Sequence, residues 1–183
     1  MQTALVMTII GEDKPGLVES VSSIVAEHGG NWLESRMSRL GGYFAGILRI
    51  ELPEEKARAL TSALKSLNTS RGLEVVVHAD TPAAASTARP RTKRLDIVGQ
   101  DRPGIVRQIA QALARQGVNV EELSSETSSA AMSGETLFRA GAVVALPDGC
   151  DLSALRQELE KIAADLIVDV SLEDEPDKDD GLA

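Results

Sequence analysis

Two stretches of this chain repeat each other in residue types that suit an anion. Residues 11–19 read Gly-Glu-Asp-Lys-Pro-Gly-Leu-Val-Glu, and residues 99–107 read Gly-Gln-Asp-Arg-Pro-Gly-Ile-Val-Arg. Five of the nine positions are identical, and Lys/Arg and Leu/Ile are near-equivalents. The offset of 88 also carries Gly29 onto Gly117 and Asn31 onto Asn119. Each stretch lies between an apolar run and an amphipathic pattern, where a strand gives way to a helix. Free N–H groups at a helix start, with the helix dipole, favour a carboxylate or phosphate. Glycines let a ligand approach the backbone closely. The amides of Asn31 and Asn119 can bind an α-amino or carboxylate group. A small amino acid would suit such a site. An architectural reading explains the same types: Asp13 and Asp101 as caps, Pro15 and Pro103 in the first turn, glycine for the bend, Asn31 as a turn residue. Both readings stand at this point.

Catalytic chemistry finds little to work with. His28 and His78 are 50 residues apart and form no ligand spacing, so each reads as a capping or solvated histidine. Cys150 falls in a Pro147-Asp148-Gly149 turn with no histidine near it in sequence, and reads as an incidental thiol. There is no nucleophile elbow, phosphate-binding loop or dinucleotide fingerprint. No catalytic residue, metal or cofactor is predicted. The basic run Arg89, Arg91, Lys93 and Arg94 reads as a solvated linker.

The elements that must position these residues also come twice. Phe44, Leu52 and Pro53 match Phe138, Leu146 and Pro147 at an offset of 94, so the second copy holds about six extra residues, assigned to Ser128–Glu135. Thr3 to Ile10 and Arg94 to Val98 are short apolar runs that suit buried strands. Leu17, Val18, Val21, Ile24 and Val25 recur at helical spacing, as do Ile105, Val106, Ile109, Ala110 and Leu113, and Gly29 and Gly117 end these helices. Strands at Trp32–Leu40 and Tyr43–Leu52 join through Gly41-Gly42; their counterparts are Val120–Thr127 and Thr136–Leu146. Helices follow at about Glu54–Leu67 and after Asp151, which caps the second. The last strands are Leu73–Val77 and Leu166–Leu172. The order β-α-β-β-α-β defines an α+β, ferredoxin-like unit: an antiparallel sheet with both helices on one face. The expected domains are 1–78 and 93–172, with a linker over 79–92 and an acidic, disordered tail over 173–183.

Composition narrows the classes. In 183 residues, 43% are hydrophobic, enough for real cores. No apolar run reaches the roughly 20 residues of a membrane-spanning helix. The apolar N-terminus carries no Lys or Arg, against a signal peptide. One cysteine excludes an internal disulfide and suits the cytoplasm. The net charge of -9 and only four aromatics argue against direct nucleic-acid binding.

The duplicated Asp-(Lys/Arg)-Pro-Gly-(Leu/Ile)-Val after the first strand, with Gly-x-Asn opening the second, resembles ACT domains over about residues 3–172. Within that family, the tandem arrangement and the run Asn31-Trp-Leu-Glu-Ser-Arg-Met-Ser-Arg-Leu-Gly41 are similar to the glycine cleavage system transcriptional repressor subfamily. The resemblance implies that paired sheets join side by side and that amino acids, glycine among them, bind at the interface. Carried over by position, the ligand-binding residues are Asp13, Gly16, Leu17 and Asn31, with Asp101, Gly104, Ile105 and Asn119. It further implies a non-enzymatic regulator acting through a protein partner, a transcription factor or an enzyme, with a homodimer as one assembly. The alternative is a detached regulatory subunit of an amino-acid or one-carbon metabolic enzyme.

Overall fold

The computed structural model describes residues 1–80, 91–129 and 135–174. The chain divides into two compact units, Met1–Ala85 and Ser86–Ala183. In the first, β1 (Gln2–Glu12), α1 (Leu17–Glu27), β2 (Asn31–Leu40) and β3 (Tyr43–Pro53) lead through a single 3₁₀ turn (Glu54–Lys56) into α2 (Ala57–Arg71) and β4 (Leu73–Ala79). Its sheet has the antiparallel order β2-β3-β1-β4. In the second, β5 (Arg91–Gln100), α3 (Ile105–Arg115), β6 (Asn119–Ser129), β7 (Thr136–Leu146), α4 (Leu152–Leu166) and β8 (Val168–Asp174) give the order β6-β7-β5-β8. Each unit is the expected βαββαβ fold.

The register is the same in both. Leu5 faces Ile50 and Ala79, while Lys93, 88 residues on, faces Val144 and Asp174. Alternation then sorts the side chains. Leu5, Met7 and Ile9 of β1 are buried with Leu17, Val21 and Val25 of α1 and Leu60, Leu64 and Leu67 of α2, so both helices cover one sheet face. The second unit builds its own core from Leu95, Ile97, Ile105, Ile109, Leu155 and Leu159 with alternate residues of β7.

Local chemistry explains most element ends. Gly41 and Gly42 have φ of 59° and 84°, the pair of positive values that a tight hairpin with right-handed strand twist requires. The helix α1 closes with Gly29 N–H donating to the Ala26 carbonyl and Gly30 N–H to that of Val25, and α3 repeats this through Gly117 and Val118. Asp151 caps α4, its carboxylate accepting from the N–H groups of Ser153 and Ala154 at 2.9 and 3.0 Å.

Several boundaries differ from expectation. Without a breaker before Gly72, α2 continues to Arg71 rather than Leu67. Leu166 ends α4 instead of opening a strand. Arg91 and Thr92, read as linker, open β5, and Glu173 and Asp174, read as tail, close β8. Ser128 and Ser129, within the stretch assigned to the six extra residues, belong to β6. The centre of that stretch, most of the linker and the rest of the tail lie outside the described residues.

Candidate functional site

The two repeated motifs form matching loops from β1 to α1 and from β5 to α3. Their first glycines are strand residues with a packing role. A Cβ on Gly11 would stand 2.7 Å from the Gly72 carbonyl oxygen, and one on Gly99 would stand 2.6 Å from Val168 Cγ1. Bare backbone there lets the last strand of each unit come in close. The bend belongs instead to Gly16 and Gly104, with φ of 89° and 100°, each the residue just before its helix. An added Cβ at Gly16 would meet nothing within 4 Å, so conformation rather than space selects glycine.

Asp13 and Asp101 are not helix caps, because each helix starts only after the second glycine of its motif and has no side-chain cap. Both are instead tied through their backbone to the neighbouring hairpin. Asp13 N–H donates to the Gly42 carbonyl at 2.9 Å, and Asp101 N–H to that of Thr136 at 2.8 Å. The Asp13 carboxylate also pairs with Arg39 Nε at 2.5 Å. Beside it, Lys14 hydrogen-bonds Glu12 at 2.9 Å and, by that bond first and its charge second, holds the Glu12 carboxyl below its ordinary range. Pro15 and Pro103 stand in the turn ahead of the helix, not in its first turn.

Leu17 and Ile105 are core side chains, 4% and 2% exposed, so they can offer a ligand only their backbone N–H. Those N–H groups and the next ones along have no carbonyl one turn earlier in the helix. Each loop therefore presents an exposed backbone turn that leads into the positive end of a helix dipole.

The asparagines sit elsewhere. Asn31 opens β2 opposite Glu51, and Asn119 opens β6 opposite Ala145, both at the far end of the preceding helix. Eleven residues of α1 separate Asn31 from Gly16, roughly 16 Å at 1.5 Å per residue. Within one unit, Asp13, Gly16 and Leu17 cluster without Asn31, and Asp101, Gly104 and Ile105 without Asn119. Each asparagine precedes a bulge, between Trp32 and Glu34 in one unit and between Val120 and Glu122 in the other. Asn119 Nδ2 donates to Glu121 Oε1 at 3.3 Å across its bulge; the bulged residue beside Asn31 is Leu33, which offers no acceptor.

His28 is a helix-end residue whose Nδ1 donates to the Ile24 carbonyl at 2.8 Å. Cys150 is half-buried against the second core. The described residues contain no group of three His, Cys, Asp or Glu arranged to hold a metal, and no helix long and apolar enough to cross a membrane.

Residues 3–78 and 93–164 each match the family profile described as ACT domain. Over 190 residues, 96% of both chains, the sequence is 24% identical to the glycine cleavage system transcriptional repressor of Escherichia coli K12. A UPF0237 protein of Methanopyrus kandleri is 33% identical over 77 residues, 41% of this chain and 86% of its own. Among solved structures, an unknown protein from Galdieria sulphuraria superposes with a TM-score of 0.86 at 30% identity, covering 96% of this chain and all of that one. A structure provisionally assigned as a glycine cleavage system transcriptional repressor shares the fold, with a TM-score of 0.69 at 22% identity over 94% and 97% of the two chains.

Proposed function

Because the chain belongs to the ACT domain family and carries two ACT domains in tandem, we propose that it is a non-enzymatic regulatory protein that senses a small amino acid. What carries this reading is the loop built twice: a turn tied to the hairpin through Asp13 or Asp101, then a left-handed glycine, then a helix start with no side-chain cap. A ligand carboxylate would take the N–H groups that follow Gly16 or Gly104. Asn31 stands a helix length away from that loop, so a ligand using both must be shared between two ACT units. Binding then acts on their arrangement, to the extent that the ligand prefers one arrangement over another.

Asn31 is the better placed of the two asparagines, since Asn119 already gives one of its amide N–H groups to Glu121. The similarity to the Escherichia coli repressor favours glycine as the ligand and transcription of amino-acid metabolism genes as the output. No DNA-reading helix stands free of the two cores among the described residues, so the output would pass through a protein partner.

A thermal-shift screen over the twenty amino acids tests the sensor. A ligand at about 100 times its dissociation constant adds about 2.7 kcal/mol, a rise of roughly 5–10 °C for a chain of this size. A flat response to all twenty sinks the reading. Asn31→Ala should cut the shift while leaving the unliganded Tm unchanged, and Asn119→Ala should cut it less. Capture of a metabolic enzyme rather than a transcription factor from lysate would redirect the output to enzyme regulation.

A further inference from the structure

The two units share a register, so their sheet faces can be compared position by position, and the face turned away from the helices differs sharply. In the first unit its centre holds Val6, Thr8 and Ile47, with Ile47 54% exposed. In the second the same positions hold Arg94, Asp96 and Gly141. Over Gly141, where the first unit carries Ile47, lies a shallow depression of about 300 Å³, lined by Arg94, Asp96, Ser124, Glu126, Arg139 and Gly141. That volume is at the lower end of small-molecule sites.

Polar groups converge above the glycine. A Cβ on Gly141 would lie 3.3 Å from Asp96 Oδ1, 3.6 Å from Arg94 Nη2 and 3.9 Å from Ser124 Oγ. Arg94 and Asp96 hold each other by a fork of contacts at 2.8 to 3.1 Å. Ser124 Oγ is held only loosely, 3.5 Å from the Gly141 carbonyl. Glu126 and Arg139 are direct neighbours across β6 and β7, yet neither makes a hydrogen bond or ion pair with a described residue. The lining thus has two guanidiniums and two carboxylates, and one group of each sign is uncommitted. A phosphate would meet both carboxylates and a metal ion both guanidiniums. A ligand with one charge of each sign meets neither penalty.

We propose that this depression binds a small zwitterion, an α-amino acid, with its carboxylate on Arg139, its ammonium on Glu126 and its backbone over Gly141. The site lies on strands β5, β6 and β7 and does not depend on the loop reading above.

The test is an amide NMR titration of the full chain with glycine, L-serine and L-glutamine, alongside acetate and methylamine. At least one of the amino acids should move the Gly141, Ser124 and Arg139 amides at concentrations up to about 10 mM, a weak but specific affinity. Acetate and methylamine should bind at least 10-fold more weakly. Arg139→Gln and Glu126→Gln, both at exposed positions, should each weaken binding about 10-fold. Gly141→Ile restores the residue of the first unit at a strand position and should abolish binding. Silence of these strand amides towards all three amino acids overturns the proposal. So does equal binding of acetate, or an undiminished response in Gly141→Ile. Shifts confined to residues 13–17 and 101–105 would overturn it while supporting the loop site; strand shifts with silent loops would do the reverse.

Discussion

Lys93 is a cation in a core position. It is 6% exposed where the first unit has Leu5, and its ammonium reaches the carboxylate of Asp174 on the neighbouring strand. That hydrogen bond first, the charge of Lys93 second, and Arg91 and Arg156 more weakly, hold the Asp174 carboxyl below its ordinary value of 3.8. The folded state therefore prefers the ionised carboxylate more than the unfolded state does. The contribution is complete above the unfolded value and disappears as pH falls through the lower folded one. We expect urea midpoints of the second unit to decline below about pH 4. Asp174→Asn should remove that dependence and lower stability at neutral pH, leaving a buried ammonium without its partner. Lys93→Leu should remove the same dependence yet gain on the order of 1 kcal/mol, since an apolar replacement of a buried ion is often stabilising. At Gly16, where nothing crowds a Cβ, Gly16→Ala should still cost about 1 kcal/mol through its φ of 89° alone. Equilibrium unfolding reads both.

At the scale of elements, the matched ends of α2 and α4 offer a direct comparison. Gly72 follows α2 in the left-handed region, whereas Ile167 follows α4 there with φ 57° and ψ 52°, a poor conformation for a β-branched residue. Ile167 is 63% exposed, so little packing is at stake. Ile167→Gly should raise stability by about 0.5–1 kcal/mol, read as a higher Tm. Periodicity revealed the strands and helices because apolar spacing is a local property, and Gly41-Gly42 fixed the hairpin for the same reason. The loops were less legible. Asp13 resembled a cap in sequence, but its backbone partner is Gly42 and its carboxylate partner Arg39, both reached only once the sheet has formed. The burial of Lys93 had no local signal, because Asp174 lies 81 residues away. The depression over Gly141 was hidden too, since three strands from distant parts of the chain must assemble before it exists.

At the scale of the whole molecule, each unit has its own core and so the means to unfold as its own cooperative block. Trp32, the one tryptophan, packs against the first core and so reports on it. Leu155→Ala in the second core should cost about 2–5 kcal/mol in circular dichroism, with the Trp32 fluorescence midpoint unmoved; a matching fluorescence shift would contradict separate unfolding. Two similar folds in one chain also face a hazard during folding: strand β5 could enter the first unit in place of β1. The shared register says what would follow. Lys93 would take the place of Leu5, facing Ile50 and Ala79, with no carboxylate at the position that Asp174 fills in the second unit. A buried ammonium left without that carboxylate would be less stable there than in its own unit. In such an exchange β5 would forgo the contact with Asp174 that it makes in its own half, so the charge at Lys93 would favour the native pairing of the duplicated strands.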